Sequence, residues 1–181
     1  MREYGEIMNR KVIIGCGIIC LALSAIALWN YFSLYRPVAQ SLSSDPRNEG
    51  VDIYVHYRWY INPNALVFDL RNVSQDNSSV DVTRNLLQAA NALEKKSFDQ
   101  VFLAYKGKPK FMLEGKYFKK LGEEYEFQNP VYTLRTLPEN VLELDGTPAF
   151  GSWTGGWLGI MSKQMDDLGK FHKRWFLSDL L

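Results

Sequence analysis

The sequence predicts an α+β domain carried on one membrane-crossing helix, and three patterns predict it. The 24 residues from Val12 to Tyr35 carry no charged side chain. Strict apolar–polar alternation starts at Val51, as in a half-buried strand. Helical periodicity then marks residues 80–95 and 155–177, with short apolar runs between them.

At about 1.5 Å per residue the apolar run spans roughly 36 Å as a helix, enough for a hydrocarbon core of ~30 Å. Arg2, Arg10 and Lys11 precede it, and Ala25-Ile26-Ala27 has the small-x-small form of a signal cleavage site. The run nevertheless stays apolar through Leu28, Trp29, Tyr31, Phe32 and Leu34, which favours an uncleaved anchor with an aromatic belt at its far end. Residues 1–11 are then a cytoplasmic tail and 12–35 a transmembrane signal anchor in contact with the bilayer. The basic residues on the short tail, against Arg36 and Arg47 beyond, place the later residues outside the cytoplasm. A bacterial inner membrane with a periplasmic domain is the favoured setting. Cys16, Cys20 and Ser24 repeat at four-residue spacing, although small residues are common in spanning helices.

Residues 36–50 contain prolines, serines and Asn48-Glu49-Gly50, and read as a flexible tether. Residues 51–181 remain for one globular α+β domain with a single core. Val51, Ile53, Val55, Tyr57, Trp59 and Ile61 alternate with polar residues on a first strand. Asn62-Pro63-Asn64 turns the chain into a central strand from Ala65 to Leu70. A helix follows near Val80, with Val82, Leu86, Ala90 and Leu93 inward and Asp81, Arg84, Asn85, Gln88 and Lys95 facing water. Gln100–Tyr105 is a buried strand, which completes a right-handed βαβ crossover in a mixed sheet. Phe111–Leu113 is the next strand, and a short helix covers about 116–125. Val131–Thr136, bracketed by prolines, suits an edge strand. A long amphipathic helix closes the chain, with Trp157, Met161, Met165 (with Leu168), Phe171 or His172, and Trp175 on its inner stripe. His172, beside Lys173 and Arg174, reads as a snorkelling, partly buried residue.

Both cysteines lie in the apolar run, so the domain holds no disulfide, cysteine nucleophile or thiolate metal site. Its two histidines, His56 and His172, cannot build a multi-histidine centre, and no metal or cofactor is expected. No serine-hydrolase, phosphate-loop or zinc-protease motif is present. Lysine and arginine number 21 against 20 acidic residues, so the chain is near neutral. No nucleic-acid partner is expected for a domain outside the cytoplasm without Arg–aromatic reading patterns.

Two local features stand out as candidate sites. Gly151–Gly159 places Trp153, Thr154, Gly155, Gly156 and Trp157 at a helix N-terminus, where free backbone N–H groups can bind an anion. No basic residue joins them, so the simpler account is glycines for close packing and tryptophans for the core. Lys106, Lys108 and Lys110 form the basic hairpin of a lysine-rich stretch, a solvated edge or a surface for an acidic partner.

The expectation is a non-catalytic accessory, assembly or interaction subunit, docked on a membrane-protein partner of unknown identity. The alternatives are a membrane-tethered enzyme or sensor with a small-molecule pocket near Trp153–Gly159, and an exported protein freed by signal cleavage.

Overall fold

A computed structural model describes the backbone of residues 2–154 and 157–180, and the side chains of 13–154 and 159–180. Helix α1 runs over Arg2–Asn30, widens into a π-helical turn at Tyr31–Tyr35 and continues as α2, Arg36–Ser43. Its Ile13–Ser43 stretch is long and apolar enough to cross a membrane, and almost none of its most apolar part is covered by protein.

The segment expected as a flexible tether is therefore mostly helix. Pro37 occupies the first turn of α2, where a missing N–H costs nothing, so it does not break the helix. Leu34 and Val38 are fully buried against the domain, each contributing about 1.5–3 kcal/mol. Only residues 44–50 leave the helix, and a 3-10 turn at Pro46–Asn48, capped by Asp45, orders these too.

The domain is α+β with a five-stranded mixed sheet in sequential order. Strand β1 (Val51–Arg58) pairs antiparallel with β2 (Asn62–Val73), and β2 pairs parallel with β3 (Gln100–Tyr105). Helix α3 (Ser79–Ala92) lies between those parallel strands in the chain. Strands β4 (Lys108–Glu114) and β5 (Val141–Leu142) add antiparallel. Helices α4 (Gly115–Glu123), α5 (Pro130–Thr136) and α6 (Trp157–Trp175) complete the domain.

Ser78 and Asp81 form a reciprocal capping box that starts α3. Val82, Leu86, Ala90 and Leu93 are buried as their spacing requires. Gly122 of α4 sits so close to the Ala90 carbonyl that a Cβ there would lie 2.3 Å from its oxygen. The main core gathers these residues, α6 and one sheet face. A smaller cluster of Ala65, Val67, Phe102, Ala104 and Met112 occupies the other face and is built from strand residues alone. The Arg58 guanidinium lies 4.0 Å over the Phe102 ring there.

Four local expectations change. Val131–Thr136 is helix rather than edge strand, because Asn129 caps it through the Val131 N–H and Pro130 fits the first helical position. The edge falls to Val141–Leu142. Asn85 and Gln88 are buried, not water-facing, since the ordered 45–48 turn covers them. Met165 is 49 % exposed, whereas Leu168, Phe171 and Trp175 are buried as expected, and Gln164, Asp167 and His172 join them among the described residues of α6. Trp59 and Ile61 leave the β1 pattern because the strand ends at Arg58, so the turn falls at 59–61 and Asn62-Pro63-Asn64 open β2 rather than turn the chain.

Candidate functional site

The best-built polar geometry lies where the helix meets β1. Helix and strand run antiparallel: Asn30 meets Tyr57 and Tyr60, Tyr35 meets Tyr54, and Leu42 lines a hollow with Val51 and Ile53. Asn30 is 1 % exposed. Its Oδ1 accepts the Tyr57 N–H at 2.9 Å, and its Nδ2 donates to the carbonyls of Tyr60 at 2.8 Å and Ile26 at 2.9 Å. Ser33 Oγ lies 2.9 Å from the Tyr57 hydroxyl and accepts from Lys96 Nζ at 2.9 Å. Trp29 and Tyr57 rings approach to 4.5 Å. A helix thus lies along the outer strand and satisfies the Tyr57 amide, which hinders edge-to-edge pairing there.

From this junction an aromatic series runs along β1: Tyr31, Tyr35, Tyr54, His56 and Tyr60. His56 stacks on Tyr60 at 4.4 Å and 12°, and its Nδ1–H donates to the Tyr57 carbonyl at 2.8 Å. Burial lowers its pKa, which favours the neutral ring. Beside it, the fully buried Asp69 accepts the Gly107 N–H at 3.0 Å and holds Arg71 at 2.6 Å. Periodicity marked this strand but not the series, because Tyr35 and Tyr60 come from separate elements.

A second network orders the turn after α2. Asn48 donates to Gln88 and the Leu42 carbonyl, and accepts from Arg84 and Asn85. Gln88 donates to Asp45 at 2.8 Å, and Arg84 pairs with Asp81 at 2.8 Å. The Arg47 hydrogen bond holds the Asp45 carboxyl well below its usual range. Asn85 Nδ2 also donates to the Asp81 carbonyl at 2.9 Å, while its buried Oδ1 has no partner among the described residues; the remaining bonds fasten the turn to α3. A cleft of about 480 Å³ opens beyond it, between α3 and α5, with Val80, Leu87, Tyr125 and Leu134 in its walls.

The lysine hairpin is only partly free. Lys110 Nζ pairs with Asp179 at 2.7 Å, which ties β4 to the chain end and lowers the Asp179 pKa. Lys106 rests its ammonium 5.0 Å from the Tyr105 ring, and Lys108 is exposed. Lys106 takes a φ of 48° and Gly107 one of 80°, which suits a tight hairpin turn.

At the glycine–tryptophan turn, Gly155 and Gly156 lie outside the described residues, as does the Trp157 side chain. Trp153 is half-buried: its Nε1–H donates to Asp167 at 2.8 Å, and Lys163 lies 4.5 Å over its ring. Thr154 is exposed. The hollow shared by Trp153, Thr154, Gly159, Ile160 and Lys163 measures about 160 Å³, below the roughly 300–1,000 Å³ of typical ligand pockets. Close packing does not explain Gly159, which has open space where a Cβ would stand.

His172 is buried rather than snorkelling. Thr83 Oγ1 donates to the Ser79 carbonyl at 3.0 Å, so it accepts the His172 Nε2–H at 2.8 Å. Burial holds this imidazole down to about 4, neutral at pH 7. Among the described residues no group of three or more His, Cys, Asp or Glu is placed to hold a metal ion. Comparison with protein-family models, curated proteins and solved structures finds no significant match to this chain.

Proposed function

We propose that the chain is a single-pass membrane protein whose domain is a non-catalytic accessory or interaction subunit of a larger membrane complex. The observation that carries this reading is the unbroken helical path from the apolar stretch into the core, locked by Asn30, Leu34 and Val38. A flexible tether would let a domain search a wide volume. A locked helix instead presents the domain at one height and one angle, which suits a fixed neighbour.

In this reading residues 1–11 are cytoplasmic and the domain stands outside, following the basic residues of the tail. Lys106 and Lys108 offer an acidic partner a surface at the end of the sheet away from Asn30. Along β2 the separation from Asn62 to Leu70 is roughly 26 Å at about 3.3 Å per residue. That distance favours a protein face over lipid headgroups as the hairpin's partner.

The test is affinity purification of the full-length chain in mild detergent, with N-terminal sequencing of what is recovered. A chain that keeps its first residues, stays in membranes at alkaline pH and carries a stoichiometric membrane partner supports the proposal. A soluble chain beginning near Leu28 would replace it with the exported-protein reading.

A further inference from the structure

The turn between β1 and β2 exposes Trp59 by 73 %, Tyr60 by 42 % and Ile61 by 60 %, although the rest of the hairpin is well ordered by pairing. Two successive residues of this turn, Trp59 at φ 56° and Tyr60 at φ 62°, occupy the left-handed region. Glycine or asparagine is the ordinary choice there, and bulky aromatics are disfavoured. The sequence thus keeps large apolar side chains in water at a position where backbone conformation argues against them.

The helix fixes where this turn stands. Tyr60 O accepts from Asn30 Nδ2, so the turn is level with Asn30. A hydrocarbon core of ~30 Å takes about 20 helical residues, so a span within Val12–Tyr35 leaves the apolar zone between Tyr31 and Tyr35. The turn therefore falls at or just inside the boundary. Trp and Tyr favour that layer, where a ring is half in lipid and half in water. Arg58 lies 5.4 Å over the Trp59 ring and Arg36 lies 5.8 Å over Phe32, so two guanidinium groups, which suit lipid phosphates, lie beside this cluster.

We infer that Trp59, Tyr60 and Ile61 form a second membrane contact, seated in the headgroup–acyl boundary of the leaflet from which the helix emerges. This rests on the reading of the helix as a span. Two attachment points fix the domain's rotation about the helix axis, which one helix cannot do, and stand β1 upright on the surface. Strain and exposure at the turn then have one explanation.

The test uses the full chain with Cys16→Ala and Cys20→Ala, reconstituted in phosphatidylethanolamine–phosphatidylglycerol vesicles. A nitroxide is placed singly by Ile61→Cys, Trp59→Cys, Lys108→Cys or Leu21→Cys, and its collisions with oxygen and with a water-soluble nickel chelate are compared. The oxygen-to-nickel ratio should be several-fold higher for Ile61→Cys and Trp59→Cys than for Lys108→Cys, and highest for Leu21→Cys. If the Leu21→Cys label is in lipid while both turn labels match Lys108→Cys, this inference fails and the span stands. Should the Leu21→Cys label be in water, both fail. Turn labels sheltered from both agents would mean that protein covers the turn, which also overturns the lipid contact.

Discussion

Asn30 Oδ1 accepts the backbone N–H of Tyr57 at 2.9 Å, so a polar residue inside an uncharged apolar run satisfies an amide of the sheet's outermost strand. The pair joins helix to domain at a place where neither group has easy access to water. A buried amide left without an acceptor costs far more than a typical hydrogen bond gains.

Asn30→Leu keeps the helix apolar but orphans the Tyr57 N–H and the Tyr60 carbonyl. It should destabilise the domain by roughly 1–3 kcal/mol and raise the exchange rate of the Tyr57 amide. Hydrogen exchange in detergent measures this, and unchanged protection at Tyr57 would show that the junction is not a fastener.

His172 links stability to pH. The folded value is held to about 4 by burial, against an ordinary 6.5, so the unfolded chain takes up the proton first as pH falls. The contribution is complete above about pH 6.5 and is lost progressively toward pH 4, on the order of 3 kcal/mol in all. His172→Gln retains a donor for Thr83 without titrating. Denaturant unfolding at pH 7 and pH 4.5 should show a smaller difference for the variant than for the natural chain.

Charge reversal separates the three hairpin lysines. Lys106→Glu with Lys108→Glu should change stability by no more than about 0.5 kcal/mol yet abolish recovery of an acidic partner. Lys110→Glu places like charges at Asp179 and should cost up to about 1 kcal/mol by itself. If the double reversal leaves partner recovery intact, the partner surface lies elsewhere.

Trp153→Phe removes the indole donor from Asp167, a residue only 5 % exposed. A structural role predicts a loss of about 1–3 kcal/mol in thermal or denaturant unfolding. Unchanged stability accompanied by lost function would instead make this turn a ligand site.

Leu23 is 61 % exposed at the middle of the apolar run. Leu23→Arg should cost roughly 2.5–3.5 kcal/mol on the insertion scale and lower the membrane-integrated fraction after carbonate extraction. Equal integration of both chains would argue against a span at this position.

The apolar run, the α+β composition and the stripe of α3 were legible because each is periodic within one segment. Val82, Leu86, Ala90 and Leu93 repeat at helical spacing, and burial follows from that spacing alone. The Lys110–Asp179 pair spans 69 residues and leaves no mark in local sequence. Hence the lysine hairpin read as one free surface when one of its members was already engaged.

The same limit decided the junction. The sequence alone determined that a charge-free run of spanning length precedes a domain with strand and helix periodicities, because hydropathy and period are local properties. It marked residues 36–50 as loop-like through their prolines and serines, and those propensities are weak beside the burial of Leu34 and Val38. Only the tertiary structure decided that the helix continues to Ser43, that Asn30 bonds the Tyr57 amide of β1 and that the Trp59–Ile61 turn stands beside the helix. Each depends on contacts between segments tens of residues apart, and long-range packing overrides local preference when it buries enough apolar surface.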